Sequence, residues 1–97
     1  MIAEIQCLPQ PLGTSDDRYA HVDAAIAVIE ASGVAYEVGA LGTTVEGPPD
    51  KVWPLLRAVH EATLAAGATA EVTVIKVAEA AGTDQPTIAG LTGKFRG

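Results

Sequence analysis

Residues 39–47, Gly-Ala-Leu-Gly-Thr-Thr-Val-Glu-Gly, constrain the fold more than any other stretch of the chain. The two glycines before the threonines predict a tight reversal, because glycine enters backbone conformations with positive φ without steric penalty. The preceding Val-Ala-Tyr-Glu-Val alternates with period two, and the following Thr-Thr-Val-Glu is β-branched and short, so the stretch predicts a β-hairpin. Side chains alternate along a strand, so Thr44 and Glu46 must share one face of the sheet while Thr43 lies on the other.

Hydrophobic periodicity predicts the other elements of the chain. They are a strand over residues 2–8 closed by Pro9, a helix capped by Thr14, Ser15 or Asp16 and ended by Ser32-Gly33, a helix from about Trp53 to Ala66, and a strand over residues 69–78. The order β-α-β-β-α-β predicts an α+β ferredoxin-like sandwich, with a four-stranded antiparallel sheet and two helices on one face. This domain takes up residues 1–78. Residues 79–97 are interpreted as an extended or partly disordered C-terminal tail unless Ile88, Leu91 and Phe95 dock on a neighbour.

Composition excludes several classes of function. A chain of 97 residues forms one domain, and its net charge of -6 argues against a nucleic-acid partner, since acidic proteins are repelled by phosphate. No apolar run approaches the roughly 20 residues that cross a membrane, and no secretory signal is recognisable, so a cytoplasmic protein is expected. The single Cys7 lies inside an alternating strand, which favours a buried, inert thiol.

Pleating divides the strand residues between two faces. The face covered by the helices is predicted to hold Ala3, Ile5, Cys7, Tyr36, Val38, Val45, Val72 and Val74. The open face is predicted to hold Glu4, Gln6, Glu37, Thr44, Glu46, Glu71 and Thr73, framed by Ile2, Leu8, Ile75 and Val77. Carboxylates this close repel each other, so solvent, a cation, a ligand with hydrogen-bond donors or a second subunit must offset the repulsion.

Several short sequence segments resemble those of the thiamine-binding protein family, the YkoF-like group of small ferredoxin-like proteins. These segments are Ala3-Glu4-Ile5, Ser-Gly-Val-Ala-Tyr-Glu at 32–37, Gly-Thr-Thr-Val-Glu-Gly at 42–47, His60-Glu61-Ala62 and Gly67-Ala68. The resemblance covers about residues 2–78. It implies a protein without enzymatic activity or cofactor, homo-oligomeric as a dimer or tetramer, that binds thiamine or its hydroxymethylpyrimidine portion.

The residues of the open face suit such a ligand. Thiamine joins a cationic thiazolium to an aminopyrimidine, whose ring nitrogen and amino group pair with carboxylates or amides. The resemblance therefore suggests Glu46 as the anchor of the ligand, with Thr44, Gln6 and Glu4 beside it and the Thr43 hydroxyl as a further polar contact.

Other patterns in the sequence allow further interpretations. His21-x-Asp23 and His60-Glu61 lack a third ligand at a recognised spacing, so no metal site is predicted. A regulatory or oligomerisation module with a different ligand, or none, remains the main alternative, because fold alone does not decide function. An enzyme that uses Glu46 as a general base is a third possibility, and it would require a perturbed carboxylate in a closed pocket.

Overall fold

The chain alternates strands and helices in the predicted order and adds two short helical turns near its C-terminal end. The computed structural model describes residues 1–96. Its elements are β1 (Ile2–Gln10), α1 (Ala20–Ala31), β2 (Ala35–Val38), β3 (Thr43–Glu46), α2 (Pro49–Ala66), β4 (Ala70–Ala78), α3 (Ile88–Thr92) and a 3₁₀ turn (Gly93–Phe95). All strand pairs are antiparallel, and the strand order β2-β3-β1-β4 places β1 and β3 at the centre. The predicted ferredoxin-like α+β fold is therefore confirmed.

The hydrophobic core lies between the sheet and the helices α1 and α2. Its buried members are Met1, Ala3, Ile5, Ala25, Ile29, Val45, Val52, Leu55, Leu56 and Val59. Ala3 pairs with Val45 across the two central strands, and their side chains are 1% and 0% exposed. The alternation predicted for β1 and β3 is thus correct, and it leaves Glu4 opposite Thr44 on the face away from these helices.

The faces predicted for β4 are wrong. Cys7, on the helix side of β1, pairs with Thr73, and Pro9 pairs with Glu71, so Glu71 and Thr73 lie beneath α2 rather than on the open face. Val72 lies opposite Leu8 on the open face, where it is 62% exposed. The same register brings Ile75 and Val77 to the helix side, opposite Ile5 and Ala3, and Val74 to the open face, opposite Gln6.

Prolines interrupt regular structure less than the sequence indicates. Pro9 lies within β1, which continues to Gln10. The pairing of β1 with β3 ends at Ile5, so at Pro9 the strand pairs only with β4. The edge of β1 that faces away from β4 is unpaired there, and the N–H that proline lacks costs that edge no hydrogen bond between strands.

The helix α2 begins at Pro49, not near Trp53 as predicted. The amides of Lys51 and Val52 both donate to the carbonyl of Pro48, at 3.0 Å. Val52 is 0% exposed, so its burial holds the first turn in place although Pro54 lies inside the helix.

Two further local predictions need correction. The residues Thr14, Ser15 and Asp16 do not cap α1, which begins at Ala20 without a side-chain cap; the Thr14 hydroxyl instead accepts a hydrogen bond from the Asp17 amide at 3.0 Å. Neither Gly39 nor Gly42 adopts positive φ. Glycine is needed there for space, because a Cβ at Gly39 would lie 2.9 Å from the Gly42 carbonyl oxygen and one at Gly42 would lie 3.3 Å from that of Ile5.

The segment after β4 folds back towards the sheet. The Thr87 hydroxyl caps α3 by accepting a hydrogen bond from the Gly90 amide at 2.9 Å. The Ile88 amide, at the start of α3, donates to Glu46 Oε1 at 2.6 Å, and Arg96 forms an ion pair with Glu37. Ile88 is half-buried, whereas Leu91 and Phe95 are 56% and 77% exposed, so the segment is held mainly by polar contacts to carboxylates of the open face. Within residues 1–96, no helix is long and apolar enough to cross a membrane.

Candidate functional site

Four of the five predicted ligand-binding residues, Glu4, Gln6, Thr44 and Glu46, lie on the open face. The register pairs Glu4 with Thr44 and Ile2 with Glu46, so Glu46 lies two residues from Thr44 on the same face. Glu4 and Thr44 line an open groove of about 210 Å³, together with Ile2, Ala3, Lys76, Val77 and Ala78. The groove is shallow, because it follows the surface of the sheet between the central strands and β4.

The carboxylates of the open face already have partners within the chain. Glu46 accepts the hydrogen bond from the Ile88 amide, and Lys76 Nζ lies 3.2 Å from Glu4 Oε1. An anion at the first turn of a helix is stabilised by the free amides there, so Glu46 helps to hold α3. A ligand that used Glu46 would have to compete with this contact.

The fifth predicted residue, Thr43, lines a separate cavity of about 150 Å³; Gln6 also borders this cavity, although the register places its side chain on the open face. It lies between the sheet and α1, beside the turn that joins β2 to β3. The other lining residues are Ile5, Cys7, Val22, Ala25, Ile26, Ile29, Ala40, Leu41, Gly42 and Val59. The wall is mainly apolar, and the Thr43 side chain, which is 5% exposed, brings a hydroxyl to it. The structure therefore keeps four of the predicted site residues on the open face and places Thr43 alone on the helix side.

The hairpin turn shapes the entrance of this cavity. The Gly39 amide donates to the Gly42 carbonyl at 2.8 Å, which closes the turn. Leu41, between these glycines, lines the cavity yet is 81% exposed, so it stands at the entrance. A large apolar side chain on an exposed turn carries little packing constraint.

A polar cluster that the sequence did not reveal lies next to the cavity, beneath α2. It consists of Cys7 from β1, Glu71 and Thr73 from β4, and His60 from α2. His60 Nδ1 lies 2.6 Å from Thr73 Oγ1 and 3.2 Å from Glu71 Oε2. The predicted placement of Glu71 and Thr73 on the open face hides this cluster. The apolar Ile75 and Val77 lie on the same side of β4 as these two residues, and they indicate that this side faces the helices.

The Cys7 thiol is the member of the cluster that also lines the cavity. Burial, reinforced by the neighbouring Glu71 carboxylate, raises the pKa of this thiol from 9.0 to about 12. A thiol with this pKa is protonated at neutral pH, so Cys7 is an inert wall residue rather than a nucleophile.

Alkylation of Cys7 measures this raised pKa. The thiolate is the reactive form, and a pKa of about 12 lowers its fraction at pH 8 about a thousandfold relative to a pKa of 9.0. We expect iodoacetamide to modify Cys7 at least about a hundredfold more slowly than an exposed cysteine, as followed by intact mass. The control is the Cys7→Ala/Ser15→Cys variant, whose cysteine lies in an exposed loop. Equal rates for the two proteins would contradict the assignment.

The histidines have structural partners. His21 is 4% exposed, and its Nδ1 lies 2.8 Å from the Pro11 carbonyl oxygen, which ties α1 to the loop before it. Among residues 1–96, no group of three or more His, Cys, Asp or Glu side chains is arranged to hold a metal ion.

The sequence profile described as thiamine-binding protein matches residues 3–94, from β1 to the 3₁₀ turn. The chain belongs to the thiamine-binding protein family. The resemblance found in the short segments of the sequence is thereby confirmed, and the match includes α3 as well as the sandwich. A search of curated proteins finds no match.

Solved structures show the same fold for this member of the thiamine-binding protein family. A domain of unknown function from Bacillus cereus is 35% identical, with a TM-score of 0.85 over 98% of this chain and 88% of that one. A proposed thiamine biosynthesis/salvage protein from Thermotoga maritima is 23% identical, with a TM-score of 0.79 over 98% of this chain and 97% of that one. A hypothetical protein from Methanocaldococcus jannascii is 24% identical, with a TM-score of 0.79 over 98% and 94%. The last two likenesses concern the fold alone.

Proposed function

We propose that this chain binds thiamine, or a molecule that shares its aminopyrimidine, in the cavity beneath α1, and catalyses no reaction on it. The observation that carries the proposal is the cavity itself, found in a member of the thiamine-binding protein family. An apolar cavity of about 150 Å³ holds a six-membered aromatic ring such as benzene. The pyrimidine of thiamine has a ring of the same size, and the cavity volume matches it.

Charge and polarity support the same ligand. The pyrimidine ring lies among apolar side chains, where the Thr43 hydroxyl offers a hydrogen bond to a ring nitrogen. The cationic thiazolium projects past Leu41 towards solvent, and the net charge of -6 favours the approach of a cation. A protein that acts by binding needs no activated nucleophile, and the inert Cys7 thiol agrees with this role.

Thr43→Val and Thr44→Val separate the cavity from the open-face groove. Valine matches threonine in shape but lacks the hydroxyl, so the loss of one hydrogen bond costs about 1 kcal/mol, or about a fivefold weaker affinity. Thr43 lines the cavity and Thr44 lines the groove, although they are neighbours in β3. We expect calorimetric titration with thiamine to show weaker binding for Thr43→Val and unchanged binding for Thr44→Val.

The opposite outcome would support the site predicted from the sequence. If Thr44→Val and Glu46→Gln weaken binding while Thr43→Val does not, the ligand lies in the groove beside Glu4 and Glu46. If the wild-type protein binds neither thiamine, nor its phosphates, nor hydroxymethylpyrimidine, the proposed function fails. Release of a product during these titrations, followed by chromatography, would contradict the absence of catalysis.

A second copy of the chain is the partner proposed for the sheet. The strand β4 forms one edge of the sheet and leaves a row of backbone groups free for pairing. On the open face beside it, Leu8, Val72 and Val74 are 42%, 62% and 46% exposed. Such an apolar surface favours a homo-oligomer, either a dimer or a tetramer. Mass in solution tests this, and self-association without any pyrimidine binding would instead favour a regulatory or oligomerisation module.

A further inference from the structure

The Glu71 carboxylate is buried next to the Cys7 thiol and the His60 ring, neither of which is aligned to make a full hydrogen bond to it. Its side chain is 0% exposed, and neither carboxylate oxygen has a hydrogen-bond partner among residues 1–96. His60 Nδ1 lies 3.2 Å from Glu71 Oε2 but only 2.6 Å from Thr73 Oγ1, so its hydrogen bond goes to the threonine. A buried carboxylate that accepts no hydrogen bond is costly for any fold, and a retained one calls for a binding or chemical role.

The carboxylate lies at the border of the proposed ligand cavity. Cys7 lines that cavity, and its thiol contacts Glu71, as the raised pKa of Cys7 reflects. On α2, Val59 lines the cavity and the next residue, His60, belongs to the cluster. The small Cys7 side chain therefore lies between the apolar cavity and a carboxylate whose nearest donors are the thiol itself and the His60 ring.

The chemistry of the missing partner follows from its surroundings. The unpaired oxygens require one or two N–H donors, and the apolar cavity requires a flat, uncharged or delocalised ring. An aminopyrimidine meets both requirements, because its amino group donates an N–H and its flat ring fills the cavity; the ring nitrogen beside the amino group is an acceptor and donates only when it is protonated, as in an amidinium. A flexible alkylammonium does not, since it brings a strongly hydrated point charge and no ring to fill the cavity.

We propose that Glu71 is a specificity-determining residue, whose carboxylate receives the N–H edge of an aminopyrimidine or of another ring that carries an amidine. This inference rests on the proposed function for the identity of the ligand, but it concerns a residue outside the predicted site. His60 lies beside the carboxylate from α2, and Cys7 gives way to the ring.

The test compares two ring probes that differ in one group. The first is 4-amino-5-hydroxymethyl-2-methylpyrimidine, and the second is the same molecule without the 4-amino group. We expect the wild-type protein to prefer the amino compound at least about tenfold, because a site built to accept a hydrogen bond rejects an analogue without the donor. In Glu71→Gln the preference should fall to about threefold or less, since an amide oxygen accepts a weaker hydrogen bond than a carboxylate and the amide NH₂ cannot accept one.

Glu61→Gln is the matched control. Glu61 lies on the exposed side of α2, where it pairs with Arg57 at 2.6 Å, and the same chemical change there should leave the preference intact. Glu71→Val is the second variant if Glu71→Gln fails to fold, because a β-branched residue suits a strand. Cys7→Leu should also reduce the preference, because a larger side chain separates the ring from Glu71. A tenfold preference that survives in Glu71→Gln or Glu71→Val overturns the proposal.

Failure of the proposed function remains distinguishable from failure of this inference. If neither ring binds the wild-type protein, acetamidinium is titrated as the probe while the His60 ring resonances are followed by NMR. A saturable shift in the wild-type protein that is absent in Glu71→Gln would show that the carboxylate binds an amidine, even though the protein does not bind the pyrimidine. No shift in the wild-type protein overturns both.

Discussion

Replacing Ala25 with leucine is expected to weaken pyrimidine binding at least about a hundredfold. Ala25 lies on α1, is 4% exposed and lines the cavity of about 150 Å³. Three additional carbons occupy the volume that the proposed ring needs, and each buried methylene group gains about 0.8 kcal/mol by filling apolar space. The ligand must then displace a side chain that packs well. Calorimetric titration with thiamine and hydroxymethylpyrimidine measures the loss.

Ala27→Leu controls for the effect of a larger residue on the same helix. Ala27 is exposed, so its replacement should leave both the affinity and the thermal unfolding temperature nearly unchanged. Val22→Phe fills the cavity from another position on α1 and should reproduce the loss of binding. Normal binding by folded Ala25→Leu and Val22→Phe proteins would show that the ring lies elsewhere, and the open-face groove would become the first alternative.

Leu56→Ala is expected to cause the largest loss of stability. Leu56 lies on the inner side of α2, is 2% exposed and belongs to the core shared with the sheet. Truncation of a buried leucine to alanine removes apolar contacts and leaves a void, which costs about 3 kcal/mol. For a domain of this size we expect the unfolding temperature to fall by more than about 10 °C.

The same substitution on the outer side of α2 provides the comparison. Leu64 is 42% exposed, so Leu64→Ala should cost less than about 1 kcal/mol, partly because alanine favours the helix. Urea unfolding of both variants and the wild type, at one protein concentration, gives the free energies of unfolding. Equal losses for the two variants would mean that α2 does not pack as described.

The topology was predictable because the hydrophobic period changes from two to about 3.6 at each boundary between a strand and a helix. The central strands follow a clean alternation, with Ala3 and Ile5 buried and Glu4 between them half-buried. Apolar residues occupy one set of alternate positions and polar residues the other, and this pattern fixes which side of the strand faces the helices. The order of the elements and the pairing of β1 with β3 then follow from the fold class.

The strand β4 was not predictable in the same way, because both of its parities carry apolar residues. Val72 and Val74 share one face, whereas Ile75 and Val77 share the other with Glu71. The strand β4 lies at the edge of the sheet and borders an exposed apolar face. It therefore lacks the alternation of polar and apolar residues that would set its register. The buried carboxylate was assigned to the wrong face for this reason.

The cavity and the C-terminal segment depend on tertiary contacts that no local pattern encodes. Thr43 was named as a candidate for its hydroxyl, but only the placement of α1 over the hairpin turn shows what space it faces. The contact between Ile88 and Glu46 joins residues 42 positions apart. Glu46 is predicted to anchor a ligand because it shares a face with Thr44, Gln6 and Glu4, whereas in the structure its carboxylate accepts a hydrogen bond from a backbone amide of the same chain.

The internal pairing of carboxylates on the sheet surface also determines where the molecule carries its excess negative charge. Lys76 and Arg96 offset Glu4 and Glu37 locally, so the acidic excess lies on the helices and loops, at positions that include Asp16, Asp17, Asp23, Glu30 and Asp50. Two molecules that approach each other through their sheets therefore meet little electrostatic repulsion, and added salt has little repulsion to screen. Association through this surface should depend only weakly on ionic strength, in contrast to any encounter that involves the helical side.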